Sequence, residues 1–380
     1  AGRSALHREA PERLRAVPVL SVVLALVAMM LAPAMAANAA PGDLAHGVVR
    51  VDANKNGAID ASDPAGEADT GLAGVTVELL AADGITVVAS TTTAGDGSWT
   101  IAEADVDPQP VAYPATVRID TSTANGNVYA SYPAATPGVN DFARAGVPSQ
   151  ATAVVTSADT ELNALVYPSW AVDLALAGDP EGLGGLAIRT GSGPFDANDS
   201  EPGNDSGMAN DRVRSADIVS FNWSLTVAAE DSLAANFSDA VFEQTIVLGE
   251  GAVANFASRP AICDAAKSSI VAQPSGAVIQ PGATPPAGTT SVTLSCHLGS
   301  MGEDRAAILL PTLVQPLASS ENGSTFTTTS RAYGVDAAGA ATAQPSTGVD
   351  SPPIEITAAP RYDVEKINGD AGGGYYGYQN

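Results

Sequence analysis

The chain has 380 residues, with 42 Asp and Glu against 17 Lys and Arg, a formal net charge of −25. So acidic a surface repels phosphate backbones and anionic headgroups, which argues against nucleic-acid or membrane-surface partners and leaves divalent cations as counterparts. Aromatic residues make up 5% of the chain, few for a stacked sugar cleft.

Residues 1–39 read as a secretory signal peptide and are set apart from the fold. Arg3, Arg8, Arg13 and Arg15 form the basic segment, and the apolar run Val17–Leu31 is short for a membrane span. Ala34-Met35-Ala36 and Ala37-Asn38-Ala39 are the candidate cleavage triplets. Without residues 1–40, 13 basic residues face 40 acidic ones, a net −27. A secreted, extracellular protein follows, with no membrane contact beyond the signal. The chain lacks an initiating Met and stops at Tyr378-Gln379-Asn380, so a fragment of a longer protein is expected.

Beyond residue 40, short Val- and Thr-rich runs alternate with Gly, Pro, Asp and Asn, the texture of all-β sandwiches. Gly47–Val51 alternates and predicts the first strand. It runs into Asp52-Ala-Asn-Lys-Asn-Gly-Ala-Ile-Asp-Ala-Ser-Asp63. This twelve-residue loop places oxygens at Asp52, Asn54, Asn56, Asp60 and Asp63. Gly57 stands where such a loop turns sharply, Ala58 offers its carbonyl, and Ile59 is placed to anchor the loop in a core. Six to eight oxygens wrapped round one point suit calcium. Asp63 is short for the closing bidentate contact, and Glu67 is the alternative donor. Strands are then predicted at Val75–Leu79, Thr86–Thr93, Ser98–Ile101, Ala115–Ile119, Ala151–Thr156 and Glu161–Tyr167, with Asp83-Gly84 and Asp96-Gly97 as turns. Residues 40–169 thus form one calcium-binding sandwich.

The strings Gly47-Val-Val-Arg-Val-Asp-Ala-Asn-Lys-Asn-Gly57, Gly71-Leu-Ala-Gly-Val-Thr-Val-Glu-Leu79 and Asp96-Gly97-Ser98-Trp99 resemble the B-type repeat of serine–aspartate-repeat adhesins. These are relatives of the Cna-B, prealbumin-like sandwiches of Gram-positive surface proteins. The resemblance covers residues 47–101 well. It implies a structural spacer stiffened by calcium, with Asp52, Asn54, Asn56 and Asp60 at the calcium positions. Some relatives carry a Lys–Asn isopeptide bond; Lys55 lies in the loop rather than on a first strand, so none is expected in this domain.

Pro168-Ser-Trp170 marks a boundary, and residues 170–359 form a second β-sandwich. Its strands are predicted at Ala171–Leu176, Asp217–Val227, Val241–Val247, Ser291–Cys296, Ala306–Leu313, Ser324–Tyr333 and Ile354–Thr357, with Pro274–Pro286 as a loop. The acidic stretch Asp196–Asp205 reads as a solvated loop. Cys263 and Cys296 are the two cysteines, and export favours pairing them. The bond closes a loop of about 34 residues, worth roughly 3–4 kcal/mol by chain entropy. Residues 360–380 begin a third module, with Lys366 in its first strand.

No catalytic constellation appears. His46 and His297 have no nucleophile motif around them and read as surface or turn histidines. No enzyme is expected. The reading is a secreted or cell-surface modular protein, a calcium-stiffened stalk or adhesin segment. The alternatives are a second domain that binds an extracellular protein or glycan, and an accessory region of a larger extracellular enzyme.

Overall fold

The computed structural model describes residues 42–60, 69–107, 110–124, 128–176, 186–189, 212–215, 218–231, 233–351, 353–357, 363–367 and 375–379. Those residues form strands and two short 3-10 turns, with no α-helix among them. The chain is an all-β protein of tandem sandwiches, as the Val/Thr alternation requires. The expected signal peptide, residues 1–39, and the stretch 196–205 lie outside the described residues.

Among the described residues, eleven strands precede Ser169. They are β1 (Asp43–Val51), β2 (Thr70–Gly71), β3 (Thr76–Leu80), β4 (Val87–Thr92), β5 (Ser98–Ala102), β6 (Ala115–Asp120), β7 (Tyr129–Ser131), β8 (Ala143–Arg144), β9 (Gln150–Val155), β10 (Thr160–Glu161) and β11 (Ala164–Pro168). One sheet has the order β10-β1-β11-β7, with β2 and β5 also on β1; the other is β4-β3-β6-β9-β8. Strand β1 is the pivot, because it carries β5 and β10 along its first half and β2 and β11 along its second. Val77 and Leu79, Val117 and Ile119, and Ala151 and Val155 with Ala153 between them face inward and are buried, each two residues from the next on its strand. The predicted final strand splits into β10 and β11 at Leu162 and Asn163, where the Asn163 side chain accepts from Val48 N at 3.1 Å.

The glycines of the adhesin-like strings have a packing reason. A Cβ on Gly71 would lie 2.0 Å from the Asp96 carbonyl oxygen, and one on Gly97 would lie 2.2 Å from that of Val49. Backbone meets backbone where β1, β2 and the Asp96-Gly97 turn cross, so no side chain fits.

Among the described residues, fourteen strands follow, from β12 to β25: β12 (Trp170–Leu176), β13 (Leu186–Arg189), β14 (Arg212–Arg214), β15 (Ile218–Ala229), β16 (Asn236–Leu248), β17 (Ala254–Ser258), β18 (Ser269–Gln273), β19 (Ala277–Val278), β20 (Ser291–Gly302), β21 (Ala307–Pro316), β22 (Ser324–Val335), β23 (Ala341–Ala343), β24 (Val349–Asp350) and β25 (Ile354–Thr357). One sheet is β12-β15-β21-β17 with β13 on β15; the other is β14-β25-β22-β16-β20-β18-β19 with β23 and β24 on β22. Phe221, Trp223, Phe242, Phe256 and Phe326 fill the core. Across it, Trp223 Nε1 donates to Thr312 Oγ1 at 3.1 Å, and Thr312 donates to Gln244 Oε1 at 2.5 Å. Such a buried polar chain ties β15, β21 and β16 in one register. Within the expected loop 274–286, only the two residues of β19 add to the sheet. Residues 363–367 and 375–379 pair as an antiparallel hairpin that includes Lys366.

Cys263 and Cys296 are bonded, as export predicts, and both are buried. The bond staples the loop after β17 onto β20. Reduction should lower the melting temperature of the second sandwich, at a cost of about 2–5 kcal/mol, measured by calorimetry with and without reductant. In the first sandwich, Gly71→Ala should destabilise by more than about 2 kcal/mol through its backbone clash. Gly95→Ala, with nothing within 4 Å of the added Cβ, should leave the melting temperature nearly unchanged.

Candidate functional site

The calcium-type loop begins at the end of β1, where Asp52 N donates to Val166 O of β11 at 2.7 Å. Asp52 is fully buried, so its carboxylate needs partners. It accepts from Asn56 N at 3.1 Å, from Gly57 N at 2.7 Å and from the Tyr132 hydroxyl. Burial, first, and that carboxylate, second, push the Tyr132 hydroxyl well above the usual phenol range. Gly57 has φ +77 and Lys55 has φ +57. The first is the sharp turn the spacing calls for; the second is a left-handed residue the spacing does not announce.

Four of the predicted oxygen donors come together. Asn54 Oδ1 accepts from Asn56 N at 3.1 Å, Asn56 Oδ1 accepts from Ala58 N at 2.7 Å, and the amides of Asn54 and Asn56 both reach Asp60 Oδ2. Ala58 lies on the exposed side of the turn. Asp63 and Glu67 fall outside the described residues. Ile59 does not anchor the loop: it is 45% exposed, because the backbone is held by Asp52 and needs no apolar plug.

Asp69 is the residue the spacing misses. Its Oδ1 accepts from Ala53 N at 3.1 Å and its Oδ2 from Asp60 N at 2.9 Å, so it pins both ends of the turn. Burial, followed by the repulsion of Asp52 and Asp60, pushes its carboxyl up to about 6 against the pull of those two amides. Asp52, Asn54, Asn56, Asp60 and Asp69 bring five oxygen-bearing side chains and crowded negative charge to one turn, the side-chain types a hard cation takes, with Asn54 and Asn56 turning their amide nitrogens to Asp60. Among the described residues no three His, Cys, Asp or Glu side chains are grouped closely enough to hold a metal by themselves. Asn oxygens and carbonyls would supply the remainder.

Neither histidine lies in a turn, and only His46 is buried. His46 lies on β1, buried, with Nδ1 4.0 Å from Asp159 Oδ1. His297 lies on β20 with Nδ1 3.0 Å from Asp239 Oδ2. Lys267 also reaches Asp239 Oδ2 at 3.0 Å, and the carboxyl is held below the usual range by Lys267 and His297 although burial opposes this. Strand alternation explains both placements: His46 shares a face with buried Leu44 and Val48, whereas His297 lies on the half-exposed face of β20, opposite Cys296 and Leu298.

Residues 173–331 match the family model for the N-terminal domain of the uncharacterised plasmid protein pXO2-29, less than half of the chain. No curated protein matches. Among solved structures, the chain is similar to a variant of BcpA, the major pilin subunit of Bacillus cereus. The identity is 13% over 88% of this chain and 82% of that one, with a TM-score of 0.24. It is similar to the fimbrial protein FimP from Actonomyces oris at 9% identity over 83% and 69%, with a TM-score of 0.26. The major pilin SpaA of Corynebacterium diphtheriae is similar at 13% identity over 80% and 68%, with a TM-score of 0.25.

Replacing Asp69 tests its place in the loop. Asp69→Ala leaves the Ala53 and Asp60 amides without their acceptor, at a cost of about 1–3 kcal/mol. Hydrogen exchange at those two amides should speed up while the β3 amides stay protected. Equal exchange in variant and wild type would show that the loop does not depend on Asp69.

Proposed function

We propose that the protein is a secreted or cell-surface modular structural protein, a stalk or adhesin segment built from sandwiches in series and stiffened by calcium. The observation that carries the reading is the oxygen-rich loop closing directly on the end of β1. A cation there neutralises Asp52, Asp60 and Asp69, whose mutual repulsion otherwise loosens the turn. The residues that would hold it are Asp52, Asn54, Asn56, Asp60 and the Ala58 carbonyl, with Asp63 or Glu67 completing the set. Calcium supplies charge and rigidity in this role. The disulfide of the second sandwich and its tie between Trp223, Thr312 and Gln244 serve the same end, a body that resists deformation outside the cell.

The alternative is a ligand-binding second sandwich. It draws on an open groove of about 680 Å³ between residues 248–253 and 284–290, edged by Glu250 and Glu321. A protein or glycan partner would use this groove, and isothermal titration would detect it.

The deciding measurement is thermal unfolding in EDTA and in millimolar calcium. The first sandwich should gain on the order of 5 °C or more with saturating calcium. Asp60→Asn should abolish most of that gain while leaving the EDTA melting temperature close to that of wild type. No calcium-dependent shift would remove calcium from the function and leave a plain polar turn.

A further inference from the structure

Where β11 ends and β12 begins, the two sandwiches are separated by Ser169 alone. A one-residue connection between two acidic bodies should flex, since relative motion is the default for modules in series. The contacts around Ser169 oppose that. Ser169 N donates to Val128 O of the first sandwich at 2.7 Å, and its carbonyl accepts from Glu230 N of the second at 2.7 Å. Gln344 Nε2, of the second sandwich, donates to Pro168 O of the first at 2.8 Å.

Charges of opposite sign meet over these backbone ties. Arg144, on β8, holds Asp231 with both terminal nitrogens, at 3.1 and 3.3 Å. The Tyr167 hydroxyl accepts from Arg144 at 2.6 Å and donates to the same carboxylate at 2.6 Å. Lys55, from the loop after β1, pairs with Glu230, and its ammonium sits 4.3 Å from the Tyr167 ring centre. Gln344 Nε2 also donates to Glu230 at 3.0 Å. The cations belong to the first sandwich and the anions to the second, so the lock has one polarity. Bidentate guanidinium–carboxylate pairing fixes angle as well as distance. Arg144 and Asp231 are four-fifths buried, which shields the pair from salt.

We propose that this cluster of Lys55, Arg144 and Tyr167 against Glu230, Asp231 and Gln344 is an inter-module lock that makes the two sandwiches one rigid body. The lock requires no metal ion, because Asp52 accepts from the backbone amides of the Lys55 turn. It is a property of the junction and stands apart from the calcium reading. In a chain so poor in Lys and Arg, two of the few cations are spent on one interface.

The test is a distance distribution measured by pulsed electron resonance on the full chain. Nitroxides go on Val154→Cys and Leu309→Cys, which are 59% and 72% exposed, and the buffer contains EDTA. With the junction intact, one narrow distance is expected. Glu230→Gln with Asp231→Asn removes both anions at constant size and should replace the narrow peak by a broad distribution. Circular dichroism of the same variant should stay that of folded β-sandwiches, since neither residue lies in a core. Exchanging the pair, Arg144→Asp with Asp231→Arg, should narrow the distribution again relative to Arg144→Asp alone. A broad distribution with the junction intact, or a narrow one in the Glu230→Gln, Asp231→Asn variant, would overturn the lock.

Discussion

A fully buried carboxylate at the end of a strand constrains everything around it. Asp52 sits where β1 leaves the first sheet, and it is stable there only because three donors surround it. Two of those donors are backbone amides of Asn56 and Gly57, so satisfying the charge also bends the chain. The bend puts Lys55 in the left-handed region and Asn54, Asn56 and Asp60 on one side of the turn. The third donor, Tyr132, stacks edge-on against Tyr167, with ring centres 4.9 Å apart. One buried charge therefore sets the shape of the loop, the direction of Lys55 and the aromatic floor on which the junction rests.

The same chain of contacts links sequence-local chemistry to long-range order. Tyr167 burial and the Asp231 carboxylate push its hydroxyl up to about 12, so it stays a proton donor throughout the physiological range. Asp231 is held below the ordinary carboxylate range by Tyr167 and Arg144 although burial opposes it, and Glu230 likewise by Lys55 and Gln344. These depressed values mean that the pairing contributes stability above the unfolded carboxylate range. That contribution is lost only as pH falls through the lowered values. A strongly acidic protein would otherwise drive its own modules apart; concentrating cations on one side of the contact reverses the sign of that force locally.

Much of the fold is legible in the sequence because alternation and turn chemistry report local geometry. Val75–Leu79, Ser98–Ile101 and Ala115–Ile119 fall within a residue of the observed strands, since each is a β-branched run bounded by Gly, Asp or Pro. Tyr129–Ser131, Ala143–Arg144 and Ala254–Ser258 are not legible: they are short and low in β-branched residues, and only their partners make them strands. In β16 the strand starts five residues before the expected Val241, because a bulge between Phe237 and Ala240 breaks the alternation but not the pairing. The candidate site divides in the same way. Asp52, Asn54, Asn56 and Asp60 obey a spacing that any reader of the loop can count. Asp69 lies past its end and reaches Ala53 across 16 positions, so no local template points to it.

The junction lies furthest from what a sequence displays. Arg144 and Asp231 are 87 positions apart, and each alone is an ordinary charged residue beside a turn. What would have drawn attention is scarcity. In a chain with 17 basic residues, a cation retained beside a strand end has little reason to be there as a solubilising charge, because the surplus of carboxylates already does that. Its value lies in a specific partner. The same reasoning applies to Arg118 on Glu78 and Arg331 on Glu243, which cross neighbouring strands at 2.6 and 3.0 Å. Those two pairs staple sheets from within. Arg144 and Lys55 use the same chemistry between bodies, where the backbone supplies one residue of connection and side chains must supply the rest.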